Sequence, residues 1–482
     1  MSAPANAPIV PEPEQPTPAG RAPAHTRAIG LPLKALLSFH PSRIPVFSRR
    51  NYAMELRAAF ALPFLLVVVD SGVIGVLVKN AYEGVVSDRV LNMAVAILAA
   101  STAAANIASF IWVRISNGAD KVRFINGVQI AMVLIVAAIA LAPRTPGGLL
   151  LLTFAVIAGR LCWAGFITIR STIWGANYAP RVRARVTGKL ATVQVTMLSL
   201  LGLGLGKAMN IFPEADRLFF LVGAVISLYG VYAWSQIRVR GHRSLRNAEL
   251  AFSGREAPTF SPMSVVNVLR ADRRYASFMT WMFLLGLGNL MLVPILTIAA
   301  RDRFNLEYLG GIAIVASIPL AMMPFMIPIW ARLLDRVHVI RFRAIHSWAF
   351  VAAHACCALA VAMGSLPLLV LASIFKGVGY AGGVLAWNLG HLDFAPRGME
   401  SQYMGVHGTL NGVRGIIAPF LAVGIYELAI AIDPRLAVVA FLATVVLTLA
   451  GAIGFTVMSR KLGDQATRGR RPAEVPPPSR VG

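Results

Sequence analysis

The sequence predicts an all-α polytopic membrane protein, with twelve transmembrane helices arranged as two pseudo-symmetric six-helix halves. Three observations carry that expectation. Apolar runs long enough to cross a bilayer recur along the chain, basic residues crowd alternate connections between them, and the second half repeats text of the first.

Composition sets the medium. Of 482 residues, 57% are apolar and only 14% charged, whereas soluble domains are roughly a quarter charged. A net charge of +24 would suit a nucleic-acid partner if the cations formed one solvated face. They lie instead in short segments between apolar runs, so no nucleic acid is expected and the surrounding partner is the lipid bilayer. Cys162, Cys356 and Cys357 fall inside apolar runs with neither metal-ligand nor disulfide spacing, so neither metal nor cofactor is expected.

In chain order, residues 1–50 are rich in Pro and Ala and then sparsely basic, with no apolar signal-peptide core. They read as a disordered cytosolic arm. A helix needs about 20 residues to cross about 30 Å of hydrocarbon. Runs of that order are expected as spans at 58–79, 91–113, 123–142, 149–170, 188–209, 217–237, 276–299, 309–331, 343–363, 367–390, 404–426 and 436–458. The halves are therefore 51–237 and 276–459, joined by a cytosolic link at 238–275 whose 263–275 portion reads as a helix along the membrane surface. A basic, Pro-rich tail, 460–482, is expected to be disordered.

Orientation follows from Lys and Arg. Arg49, Arg50 and Arg57 precede the first span, Arg114, Lys121 and Arg123 follow the second, and Arg181, Arg183, Arg185 and Lys189 follow the fourth. The opposite connections are short and carry acid, as in Glu83 with Asp88 and Glu214 with Asp216. Both termini are expected in the cytoplasm, with the chain multi-pass in the cell (inner) membrane.

The repeat is read from the text itself. Asn177-Tyr178-Ala179-Pro180-Arg181 returns as Asp393-Phe394-Ala395-Pro396-Arg397, and the same shift of about 216 residues takes Arg160 onto Lys376. Trp112-Val113-Arg114 with Arg123-Phe124 returns as Trp330-Ala331-Arg332 with Arg341-Phe342. Asn51-Tyr52-Ala53 returns more weakly as Arg274-Tyr275-Ala276.

Four charges fall near mid-depth of their spans: Asp70, Arg160, Lys376 and Arg414. A charge there costs ~2.5–3.5 kcal/mol on insertion scales, so each is a functional candidate by default. Asp70 lies roughly 20 Å from the cytosolic end at about 1.5 Å per residue, beyond easy snorkelling reach. Three cations against one carboxylate favour an anionic solute, although Asp70 could instead serve only to tie helices together. Asn289 and Gln194 are polar contacts or helix bridges, and Trp163, Trp281 and Trp387 supply either an aromatic wall or packing. His338, His346, His354, His391 and His407 show no tight ligand spacing. Gly202 to Lys207 imitates a phosphate loop but lacks its first glycine and runs into Ala208, and no nucleophile elbow or His-Glu-x-x-His is present. An enzyme is not expected.

Twelve spans in two related halves, a long link and basic turns after spans two and eight make the chain resemble the major facilitator superfamily (MFS) over about residues 50–460. The family's loop signature between spans two and three runs Gly, three residues, Asp-Arg, one residue, Gly-Arg. Here Ser116-Asn117-Gly118-Ala119-Asp120-Lys121-Val122-Arg123 keeps the acid and a base but lacks the first glycine, as does Ala331-Arg332-Leu333-Leu334-Asp335-Arg336, which leaves the subfamily open. The resemblance implies an MFS fold and a secondary transporter, symporter or antiporter, whose halves rock about a midplane site lined by spans one, four, seven and ten. Arg160, Lys376, Asn289 and Trp163 would then bind a small anionic solute, with Asp70 and Arg414 as counter-ions and Asp70 coupling transport to protons. Asp120, Arg123, Asp335 and Arg336 would form gating loops, and a monomer is expected. Two other functions fit the same fold: export of amphipathic compounds, and a non-transporting membrane assembly or chaperone protein.

Overall fold

A computed structural model describes residues 37–252, 262–396 and 399–463. Most of the expected N-terminal arm and basic tail, together with Arg255 and Arg397, lie outside the described residues. Among those described, eleven helices are long and apolar enough to cross a membrane, and a bent helix pair supplies the twelfth span.

The first span is in three pieces, Val46–Ala61, Pro63–Val69 and Ser71–Ala81. The others are Asp88–Ser116, Lys121–Ala140, Pro146–Asn177, Pro180–Ile211 and Ala215–Ser235, then Arg273–Asp302, Tyr308–Leu334, Val339–Met363, Leu366–Leu389, Glu400–Ile432 and Val438–Leu462. Two short helices, His242–Phe252 and Pro262–Ala271, occupy the link. Starts are marked by local chemistry. Asp120, Thr145, Asp272 and His338 each accept a backbone N–H at a helix N-terminus, and proline opens the fourth, fifth and tenth spans.

Several spans outrun the hydropathy reading. The fourth continues to Asn177 and the fifth begins at Pro180, because the helical backbone persists past the hydrocarbon while hydropathy marks only the part that crosses it. The first starts at Val46, and the residues before it are held against the bundle: Ile44 is buried, and Tyr52 Oη donates to the Phe39 carbonyl at 2.8 Å. The ordered unit thus begins before residue 51.

The textual repeat is also a repeat of packing. Trp112 meets the ring of Phe124 edge-on at 6.2 Å and lies against Gly165; Trp330 meets Phe342 edge-on at 5.7 Å and lies against Gly382. A Cβ on Gly165 would enter the Trp112 ring, and one on Gly382 would enter the His346 ring and press on Trp330 Cγ at 3.1 Å, so a close approach of helices is written into both halves.

The two halves are tied at the end of the bundle that carries the short loops. Lys79 Nζ sits 3.0 Å from Asp302, Arg301 Nη2 sits 2.7 Å from Glu83, and Asn210 accepts the Leu309 N–H at 3.1 Å. Asn92, which accepts from Lys79, donates to Glu427. At the link end each half bonds to the link: Lys121 Nζ is 2.7 Å from Glu249, which also accepts the Gly118 N–H, and Tyr403 Oη donates to Asp272 at 3.0 Å. Among the described residues, the ion pairs joining half to half all lie at the short-loop end.

Candidate functional site

The first span breaks twice, and the second break makes the site. Pro63 opens the middle piece after a 42° bend. Asp70 then adopts an extended backbone (φ −68°, ψ 121°), and its Oδ1 accepts the N–H groups of Gly72 and Val73 at 3.1 and 3.2 Å. Asp70 is therefore the N-cap of Ser71–Ala81, a half-helix that begins inside the membrane. Its other oxygen, Oδ2, faces Nη2 of Arg160 at 3.4 Å. Glycine makes that reach possible: Gly159 lies so close to Val69 that a Cβ would stand 2.7 Å from Val69 Cγ1. One carboxylate thus caps a helix and pairs with a buried guanidinium, whose Nε has no hydrogen-bond partner.

Lys376 is held by a different device. Residues Ala313–Ser317 of the eighth span form a π-helical turn, whose extra residue breaks the regular i to i−4 ladder. Three carbonyls there take side-chain donors: Ile314 from Ser373 Oγ at 2.8 Å, Val315 from Lys376 Nζ at 2.9 Å, and Ser317 from Ser199 Oγ at 2.9 Å. The ammonium also lies 5.5 Å from the centroid of the Tyr380 ring. The capped half-helix of the first span packs onto this turn, with Gly72 against Val315 and Ala316. Asp70 with Arg160, from the first half, and Lys376, from the second, therefore stand on either side of one contact between halves. The two cations do not bond each other or a common group.

The remaining predicted residues do not join this cluster through any described bond. Asn289 accepts from His354 at 2.9 Å, and His354 bonds Thr444 at 2.8 Å, so Asn289 bridges spans seven, nine and twelve. Arg414 donates to the Met282 carbonyl and to Asn411 Oδ1, tying span eleven to span seven instead of pairing with a carboxylate. Trp163 packs on Phe166 at 5.1 Å and lines a pocket nearer the link end. Asp120 caps the third span and stands 3.8 Å from His242 of the link and 3.9 Å from exposed Arg123. Asp335 and Arg336 are exposed, with no ion pair among the described residues.

Sequence reasoning missed two residues in the pocket with Trp163. Glu55 is 3% exposed and accepts Tyr178 Oη at 2.6 Å and Trp174 Nε1 at 2.5 Å. Arg170 lies over the Trp174 and Phe166 rings, 4.3 and 4.9 Å from their centroids. Gln194 and Trp234 complete the wall. Both charges fall at or beyond the edge of an apolar run, so the signals are the register of Trp174 and Tyr178 on another element for Glu55, and the spacing of Phe166 and Trp174 four residues either side on the same helix for Arg170.

Two six-span halves, a half-helix capped at mid-membrane and charged groups on the contact between halves define a class: a multi-pass solute carrier of the alternating-access type. The family model described as Major Facilitator Superfamily matches residues 60–419, and the chain belongs to that superfamily. No curated protein matches the sequence. Similar solved structures include a POT family transporter in complex with a thioalcohol-conjugated peptide, at 14% identity and TM-score 0.64, covering 87% of this chain and 97% of that one. The xylose transporter XylE from E. coli in an inward-open conformation is similar at 8% identity and TM-score 0.60, covering 88% and 97%. The human organic anion transporter MFSD10 is similar at 16% identity and TM-score 0.55, covering 85% and 99%. At these identities the likeness is one of fold.

Proposed function

We propose that the protein is a secondary active transporter for a small anionic solute, working by rocker-switch movement of the halves on either side of the 238–275 link. The observation that carries this reading is the charge at the contact between halves: two cations, Arg160 and Lys376, against one carboxylate, Asp70. An acidic group of the solute competes with Asp70 for Arg160 and finds the Lys376 ammonium across the interface. A proton on Asp70 removes the competing charge and frees the guanidinium, so proton and anion travel in the same direction. Half-to-half ion pairs confined to the short-loop end fit a state open toward the link end, the state named for the XylE structure. With the link and both termini in the cytoplasm, this is the inward-facing state of a monomer in the cell (inner) membrane. Asp120, Arg123, Asp335 and Arg336 would meet across the halves only when that end closes.

The test is uptake into proteoliposomes of a panel of organic and inorganic anions under an imposed pH gradient. The parent is expected to accumulate at least one of them when the outside is acidic, and Arg160→Ala and Lys376→Ala to lose most of that uptake. Parent-rate transport of every solute by both variants, or no uptake by the parent, would overturn the reading.

A further inference from the structure

We propose a second anion-binding site, inside the second half, formed by Arg343 of the ninth span with His407 and Arg414 of the eleventh; its ligand is a small inorganic anion, a halide or one edge of a tetrahedral oxyanion. The site does not depend on the transport reading.

Arg343 is the anomaly that leads to it. It is 3% exposed, yet among the described residues its guanidinium makes no hydrogen bond or ion pair, and its Nε is buried without a partner. The other buried cations each have a partner: Lys79 meets Asp302, Lys121 meets Glu249 and Arg160 meets Asp70, while Lys376 and Arg414 donate to the Val315 and Met282 carbonyls. The charged group that acts on Arg343 is another buried cation, Arg414. Removing a charge from water without an opposite charge is among the costliest arrangements a protein can hold.

His407 points to the same gap. It is 1% exposed, neither ring nitrogen has a hydrogen-bond partner, and both Arg343 and Arg414 act on it electrostatically. His407 and Arg414 are seven residues apart on one helix, two turns, and so share a face. Arg414 is partly answered by Asn411 Oδ1 at 2.8 Å and by the Met282 carbonyl, which fixes its position without neutralising it. The Trp387 ring, 5.8 Å from that of His407, walls one side. Together these groups present N–H donors and positive charge, and none of them pairs with a carboxylate among the described residues: the complement of a compact anion. Arg343 lies about three turns along the ninth span from His354, toward the link end, so this grouping is separate from the Lys376 contact.

The experiment uses the full-length chain purified in detergent. The thermal unfolding midpoint is followed at constant ionic strength while gluconate is replaced by chloride, sulfate or phosphate. At least one of these anions is expected to raise the parent midpoint by roughly 2 °C or more, saturably, since a ligand that binds only the folded state stabilises it by mass action. Arg343→Gln should lose that response, while Arg160→Gln should keep it. In gluconate alone Arg343→Gln should melt at or above the parent, because it removes an unanswered charge. Arg343→Lys keeps the charge but not the planar fork, and should need about tenfold more anion for half of the shift; it preserves the test if the glutamine variant does not fold. A parent indifferent to all three anions would overturn the site. So would an Arg343→Gln variant with the full response, or one that melts below the parent by the same margin in every anion, which is the behaviour of a packing residue.

Discussion

Replacing Asp70 by Asn separates the two tasks that its carboxylate performs. Asparagine caps helices about as well as aspartate, so its carbonyl oxygen can still accept from Gly72 and Val73. What disappears is the charge 3.4 Å from the Arg160 guanidinium. Breaking a buried ion pair by removing one partner costs about 3–5 kcal/mol. The Arg160 and Asp70 side chains are 9% and 22% exposed, and the contact is long for a charge-assisted bond, so the loss should sit near the lower end, about 3 kcal/mol. Asp70→Ala gives up the cap as well and should cost about 1 kcal/mol more. The double variant Asp70→Asn with Arg160→Gln leaves no orphaned charge, and should fall short of the summed single losses by about 2 kcal/mol. Equilibrium unfolding of the parent, the single variants Asp70→Asn, Asp70→Ala and Arg160→Gln, and the double variant in mixed micelles measures all these differences. Additive losses would show that the carboxylate and guanidinium are not coupled, and equal stability of the Asn and Ala variants would show that Asp70 is not a cap.

Three further outcomes follow from the packing. Gly165→Leu and Gly382→Leu, at matching places in the two halves, should each destabilise by about 1–3 kcal/mol, because the first forces a side chain into Trp112 and the second into His346 and Trp330; if only one half suffers, the packing repeat is not shared. Lys79→Ala removes the tie to Asp302 and Asn92 and should loosen the short-loop end. In a cysteine-free background a thiol probe at Val76→Cys, buried against Gly311, should then react several-fold faster, and an unchanged rate would rule that end out as a closed gate. Glu55→Gln turns an acceptor pair into one acceptor and one donor facing Trp174 Nε1–H and Tyr178 O–H. It should lower stability by about 1–3 kcal/mol, read as a drop in unfolding midpoint, and a midpoint unmoved from the parent would contradict the burial described for this carboxylate.

Membrane insertion is decided by sums over consecutive residues, and so the spans and the family were open to reading from the chain alone. Duplication is likewise a property of text: it paired Trp112 with Trp330 and Arg160 with Lys376 before any contact was known. Charge at mid-span singled out Asp70, Arg160 and Lys376 for the same reason, since depth follows from counting. Partnership does not follow from counting. That Lys376 meets a carbonyl of a π turn 61 positions away, that Asp70 ends one helix piece and starts another, and that Arg414 braces span seven all depend on how helices rotate and approach. Glu55, Arg170 and Arg343 went unremarked because each sits at the margin of an apolar run, where hydropathy treats a charge as solvated; helices that extend past the hydrocarbon and pack on one another bury it instead. Local free energies of transfer determined where the chain crosses the membrane. Close packing between segments far apart in sequence decided which of its charges are answered and which are left exposed to a ligand.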